Sequence, residues 1–257
     1  MDGRGSSASS TLVLPAGEAH VWRVSVDCAS APDPWSLLSE AERHRALALR
    51  SPIHRAHWIR ARAALRDVLR RYIGSKLPSR FRTGMFGKPE LQDHDWLRFN
   101  LSHSGQWALI AVAREREVGI DVEEVRRIDP EAVIRSSFSF AEREALSRLT
   151  GGAQLDAFYR CWTRKEAFVK ALGLGLHADL TAFDVSVEAQ PMLLDVRRPL
   201  PFHSRWTLAD IQVDSRYKAA IAVQEGLSVC RLLEWHGPAD RTTRLDFSPL
   251  SVAIVPS

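Results

Sequence analysis

The second half of this chain repeats its first, and no other feature constrains the fold so much. Trp58-Ile59-Arg60-Ala61-Arg62-Ala63 opens the body of one helical stretch, and Trp162-Thr163-Arg164-Lys165-Glu166-Ala167 opens the body of another. Downstream of each lies a similar apolar strand, Trp107 to Val112 in the first half and Tyr217 to Val223 in the second. No short period of about 20–50 residues is present, so this is a duplication and not a solenoid. Two α+β halves, similar α/β subdomains packed about a pseudo-twofold axis, would satisfy the repeat, with the ligand site in the cleft between them. Aligning the two helices sets Arg62 against Glu166, a cation in one half against an anion in the other. Chance recurrence of Trp-x-Arg in two amphipathic helices is the competing reading.

Local patterns divide the chain accordingly. His20 to Val26 alternates as a strand, and Pro32 and Pro34 then interrupt it. Ser39 caps a helix running to about Arg50, with Glu42 at the capping-box position. Ser51-Pro52 separates it from a second helix, Ile53 to Ile73, which Gly74 ends. Strands are expected at 97–101, 107–113 and 118–122, and helices at 131–136, 141–149 and 155–172, the last closed by Gly173 and Gly175. Strands return at 183–187, 206–212 and 217–223. The expected organisation is a disordered segment 1–19, an N-terminal subdomain 20–117, a C-terminal subdomain 118–236 and a tail 237–257.

Composition narrows the class. Hydrophobic residues at 45% and charged ones at 26% are enough for a packed core and exclude disorder over most of the chain. No window approaches the roughly 18 apolar residues of a membrane span. Cys28, Cys161 and Cys230 are far apart and lack a CxxC pair, which points to a reducing compartment, the cytoplasm, and away from a zinc or disulfide scaffold. Between Ser39 and Tyr72 nine arginines face three acids. A solvated helical face and a face for a polyanion, whether nucleic acid or a phosphorylated small molecule, both account for that excess. No motif for reading nucleic acid accompanies it.

Three segments carry chemistry. Gly119-Ile120-Asp121-Val122-Glu123 sets two carboxylates at i and i+2 of an extended run, so both point to one side. Hard oxygen ligands of this kind suit magnesium, although Asp-x-Glu alone also describes a solvated surface. Glu166 and Lys170 share a helix face at i and i+4, which by itself is an ordinary ion pair. The glycines of Ala171-Leu172-Gly173-Leu174-Gly175-Leu176 bring backbone close to something. Phe99-Asn100-Leu101-Ser102-His103-Ser104-Gly105 offers hydroxyl, imidazole and N–H donors to a phosphate. With no GxSxG elbow, a hydrolase nucleophile there is disfavoured. Phe86-Gly87-Lys88-Pro89 is a rigid turn bearing one cation.

These four segments, in this order and spacing, resemble the phosphopantetheinyl transferase family, in its long, two-halved type similar to the enzyme that activates surfactin synthetase. The resemblance covers residues 20 to 225. It implies magnesium-dependent transfer of the 4′-phosphopantetheine arm of coenzyme A to a serine of an apo acyl or peptidyl carrier protein, while the fused halves make a monomer the simplest expectation and neither nucleic acid nor membrane is expected as a partner. By position, Asp121, Glu123 and Glu166 would hold the metal, Glu166 would also serve as base toward the serine, and Lys170 would lie beside the pyrophosphate. Ser102 and His103 would contact phosphate, His103 together with Arg62 at the 3′-phosphate. Gly87, Lys88 and Pro89 would line the adenine end. The family's basic pair in the first helix is not matched: Glu42 stands at one aligned position, with Arg43 and Arg45 the nearest substitutes. A non-catalytic module that binds coenzyme A or a nucleotide is the alternative.

Overall fold

The computed structural model describes residues 11–27, 33–74, 81–84, 87–175, 178–197, 205–238 and the backbone of 248–250. Cys28, Pro32, Phe86, Leu176, residues 1–10 and most of the tail lie outside the described residues. In chain order the elements are β1 (Glu18–Ser25), α1 (Glu40–Ala48), α2 (Pro52–Ile73), β2 (Arg82–Thr83), β3 (Pro89–Glu90), β4 (Leu97–Ser104), β5 (Trp107–Arg114) and β6 (Val118–Glu124). There follow α3 (Glu131–Ser137), α4 (Phe140–Ser147), α5 (Gly151–Leu172), β7 (Phe183–Val185), β8 (Leu193–Val196), β9 (Trp206–Asp210), β10 (Tyr217–Gln224), β11 (Val229–Trp235) and β12 (Ser248–Leu250).

The helix boundaries follow local chemistry. Ser39 and Glu42 form a capping box on α1, with Glu42 Oε2 accepting from Ser39 N at 2.8 Å. Ser139 and Glu142 repeat it on α4, also at 2.8 Å. Pro52 sits in the first turn of α2, where its missing N–H is harmless, and Gly74 (φ 84°) ends that helix. Gly173 (φ 72°) ends α5 in the left-handed conformation.

Two sets of three strands pair in the same order. Strands β1, β5 and β4 pair antiparallel in that order, and β6, β10 and β9 pair antiparallel in the same order. Each first strand thus precedes a capped helix and a long helix and meets the last strand of its half. Side-chain alternation then stacks four layers. Trp22, Val24, Ile110 and Val112 pack with Leu65, Val68 and Leu69 of α2. Val21, Leu109 and Ala111 pack with Val118, Ile120 and Ile221 between the two sheets. Ala220 and Ala222 pack with Ala167, Phe168 and Ala171 of α5. The protein is α+β.

Two segments depart from the expected organisation. Strand β11 runs parallel beside β1, with Val21 opposite Leu232, and β12 pairs with its far side. Residues 229–235, expected within the C-terminal subdomain, therefore complete the N-terminal sheet. Residues 11–19, expected to be disordered, are tied down: Leu12 N donates to Arg71 O at 2.6 Å, Leu14 is buried, and β1 begins at Glu18. Both extensions are secured by contacts far away in sequence, which a local pattern does not register.

Candidate active site

The two halves meet along a seam between β4 and β6. Even-numbered residues of β4 face β6, and the strands are joined by side chains where a ladder would otherwise run. Asn100 Oδ1 accepts from Ile120 N at 3.0 Å, Ser102 Oγ donates to Asp121 Oδ1 at 2.9 Å, and Ser104 Oγ donates to Glu123 Oε2 at 2.9 Å while accepting from Glu124 N at 3.1 Å. Helix α5 lies against the other side of β6, and Gly119 permits that approach. A Cβ there would overlap the Ala167 carbonyl and the Ala171 amide, 2.9 Å from Ala171 Cα.

A cleft of about 570 Å³ opens at this seam, lined by Ser102, His103, Asp121, Glu123, Glu166 and Lys170, with Trp162, Val169, Gly175, Ala178 and Leu180 completing its wall. Lys170 Nζ reaches Asp121 Oδ1 at 2.5 Å and Ser102 Oγ at 3.0 Å. Burial raises the pKa of Asp121 against the opposing pull of Lys170 and two hydroxyl or amide donors. Burial, then the charge of Asp121, raises both Glu123 and Glu166. Desolvation, then the positive charge of Lys170, His57 and His54, holds His103 below the ordinary imidazole value at the exposed lip of the cleft.

Helix α5 is clamped so that these groups converge. Lys165 is fully buried and donates to both oxygens of Glu142, at 2.7 and 2.8 Å, and to Phe183 O at 2.9 Å. Arg164, also fully buried, pairs with Asp210 at 2.6 and 2.8 Å and donates to the Ser186 and Glu188 carbonyls. Neither cation lines the cleft; their pairing fixes the rotation that turns Glu166 and Lys170 toward β6.

The remaining expected residues are distributed differently. A second cavity of about 330 Å³ is lined by Glu42, Arg45, Arg62, Phe81, Gly87 and Pro89, among others. Lys88 does not present its charge to it. Its three donors go to Glu117 Oε2 at 2.7 Å and to the Val118 and Ala171 carbonyls, each at 3.0 Å, so it ties the turn to β6 and to the end of α5. Arg43 turns away to the Trp35 and Ser36 carbonyls, at 3.3 and 3.5 Å. Ser102 spends its hydroxyl on Asp121 and Lys170. The sequence assigns no separate role to Asn100 or Trp162 and offers Ser104 only as one donor of its run; the period of two through Asn100, Ser102 and Ser104 is the available signal.

Among the described residues no three His, Cys, Asp or Glu side chains form a ready-made metal cage. The acids of the cleft nonetheless fit a hard divalent cation. Asp121 Oδ2 is buried without a hydrogen-bond partner; burial raises the pKa of Asp121, burial first and then the charge of Asp121 raise that of Glu166, and Lys170 opposes both shifts. Magnesium needs few protein carboxylates and keeps several waters, so an open set of this kind suits it.

Known proteins resemble the chain over most of its length. The model of the 4′-phosphopantetheinyl transferase superfamily matches residues 117–222. The 4′-phosphopantetheinyl transferase HetI of Nostoc sp. strain PCC 7120 is 34% identical over 220 residues, covering 82% of this chain and 90% of HetI. The 4′-phosphopantetheinyl transferase Sfp of Bacillus subtilis is 33% identical over 197 residues, covering 72% and 86%. Among solved structures, the holo-[acyl-carrier-protein] synthase of Thermotoga maritima is 26% identical, covers 46% of this chain and 68% of its own, and superposes with a TM-score of 0.35.

Proposed function

This chain belongs to the 4′-phosphopantetheinyl transferase superfamily and is an enzyme of that kind, and from that premise we propose that it transfers the 4′-phosphopantetheine arm of coenzyme A to a serine hydroxyl of an apo carrier protein, releasing 3′,5′-ADP. The observation that carries the reading is the meeting of Asp121, Glu123 and Glu166 with Lys170 in one cleft, with Asp121 Oδ2 buried and unpaired. A cleft meant only to bind a polyanion gains nothing from three acids of raised pKa, which speaks against the non-catalytic alternative.

In the reaction the serine O–H bond breaks, its oxygen bonds to the β-phosphorus, and the pyrophosphate P–O bond to 3′,5′-ADP breaks. Glu166 takes the serine proton: burial, then the charge of Asp121, raises its pKa and so makes it a stronger base than an ordinary carboxylate. Lys170 leaves Asp121 to stand beside the leaving phosphate. Asp121, Glu123 and Glu166 would hold magnesium, which when bound neutralises the pyrophosphate oxygens. Ser102 and Ser104 orient the first two acids. His103 and Arg62 receive the 3′-phosphate, with Arg45, Gly87 and Pro89 along the adenine. Burial, then the charge of Lys170, His57 and His54, lowers the pKa of His103, and a phosphate beside it would oppose that shift.

We read the repeated strand order as a pseudo-twofold relation between the halves, with the reacting cleft on one side of the seam and the nucleotide cavity on the other. Because one chain supplies both, the working unit is a monomer. Two of its cysteines, Cys161 and Cys230, are free and buried, as a reducing cytoplasm keeps them. Among the described residues no helix is long and apolar enough to cross a membrane.

The test incubates the protein with coenzyme A labelled on its pantetheine arm and a panel of apo carriers from fatty-acid, polyketide and nonribosomal-peptide systems. Label should move to at least one carrier serine, and EDTA should abolish the transfer. Binding of coenzyme A with no labelled carrier anywhere in the panel would leave the binding-module reading standing instead.

A further inference from the structure

The second cavity contains an anion of its own. Of the arginines on its wall, Arg82 is held by Glu90 at 2.5 Å and by Asp95 at 3.2 Å. Arg62 Nε lies 2.6 Å from Glu42 Oε1. The other oxygen of Glu42 accepts from Ser39 N at 2.8 Å and stands 3.3 Å from Arg66 Nη1. Glu42 is buried, and the capping box fixes its rotamer because swinging it out would uncap α1. The cavity therefore holds a fixed carboxylate against one edge of the Arg62 guanidinium.

A site discriminates strongly against a substrate lacking a charged group when that group's partners are then left buried and unpaired. Glu42 removes that condition, since Arg62 stays paired whether or not a phosphate arrives. A phosphate that does arrive shares Arg62 with a carboxylate that repels it. We propose that Glu42 is a specificity-determining residue: an internal stand-in for phosphate charge that makes this enzyme nearly indifferent to the 3′-phosphate of coenzyme A. The proposal rests on the reading that the 3′-phosphate end of coenzyme A enters this cavity.

Calorimetric titration with 3′,5′-ADP and with 5′-AMP tests it, on the wild-type protein and on Glu42→Gln. Glutamine serves the capping box as glutamate does, and an unchanged melting temperature checks that α1 is intact. The wild type should prefer 3′,5′-ADP by less than about tenfold, and Glu42→Gln should raise that preference by at least about tenfold, through tighter 3′,5′-ADP binding with 5′-AMP unchanged. The ratio of kcat/KM for coenzyme A to that for 3′-dephospho-coenzyme A should shift in the same sense.

A wild-type preference above about a hundredfold overturns the proposal without any variant, as that is the discrimination of a site left unpaired. An unchanged preference in Glu42→Gln overturns it as well. Weaker 3′,5′-ADP binding in the variant also overturns it, making Glu42 a support for Arg62 and not a competitor. If neither nucleotide binds a protein that still transfers the arm, the proposal alone fails. If binding and transfer are both missing, it fails together with the reading beneath it.

Discussion

Burial of Asp121 between Ser102 and Lys170 leaves one carboxylate oxygen with no partner, and Glu166 stands within reach of that charge. The strain is measurable without any substrate. Because the folded pKa of Glu166 is raised, the folded protein retains a proton that the unfolded chain has already released, so stability falls as pH rises from 4.5 through the folded value. In EDTA, Glu166→Gln should therefore melt above the wild type at pH 8, with the gap closing as pH is lowered toward 4.5. Thermal melts of the two proteins across that range check it, and a gap independent of pH would mean that Glu166 is not electrostatically stressed. Glu166→Ala should lower transfer at least about a hundredfold while leaving the fold intact. Activity retained within about tenfold would remove Glu166 from the role of base.

Helices α2 and α5 and their short partners show how the same local design serves two purposes. In each half a Ser-x-x-Glu box caps the short helix and sends its glutamate to a cation of the long one, Glu42 to Arg62 and Glu142 to Lys165. In the second half that pairing is fully buried and frees Glu166 and Lys170 for the cleft; in the first it faces the cavity. The contact of α5 with β6 at Gly119 is the point where packing controls chemistry. Gly119→Ala would drive a methyl into α5 backbone, which cannot yield as a side chain can. We expect a destabilisation of about 1–3 kcal/mol and a fall in kcat from the displacement of Glu166 and Lys170 from Asp121. Melting and steady-state kinetics together check this, and a stable variant with wild-type kcat would show that the helix position is not critical. Much of this was legible in the sequence. The Ser39–Glu42 capping box, the period of two in β6 and the glycine ends of α2 and α5 are local signals that mark these elements, whereas the grouping of Asp121 and Glu123 with Glu166 came from the family resemblance and from no local pattern. The engagement of Lys88 was not legible, because its partners at Glu117 and Ala171 are supplied by elements far along the chain.

Across the whole molecule, the layer between the sheets makes the two halves interdependent. Ala19, Val21, Leu109 and Cys230 of the first sheet interlock with Ile120, Ala219 and Ile221 of the second. Strand β11 is central to this, since it contributes Cys230 to that layer and Leu233 and Trp235 to the core beneath α2, with Trp235 Nε1 donating to Asp67 at 3.0 Å. The sequence conceals this role. Val229-Cys230-Arg231-Leu232-Leu233-Glu234-Trp235 does not alternate cleanly, and its ladder partner β1 lies at the opposite end of the described chain. Each fully buried large apolar side chain contributes roughly 1.5–3 kcal/mol, against a net stability of about 5–15 kcal/mol for a typical domain. Ending the chain after Glu225 should therefore leave no cooperative unfolding transition at 25 °C. The milder Leu233→Ala should cost about 2–5 kcal/mol and lower the melting temperature by on the order of 10 °C. Although Leu233 lies in the core beneath α2 and not in the cleft, the thermal inactivation of transfer should move down with the melt, because the seam that aligns Ser102 with Asp121 needs both sheets in place. Inactivation that stayed at the wild-type temperature while the N-terminal sheet melted early would mean that the second half holds its site alone.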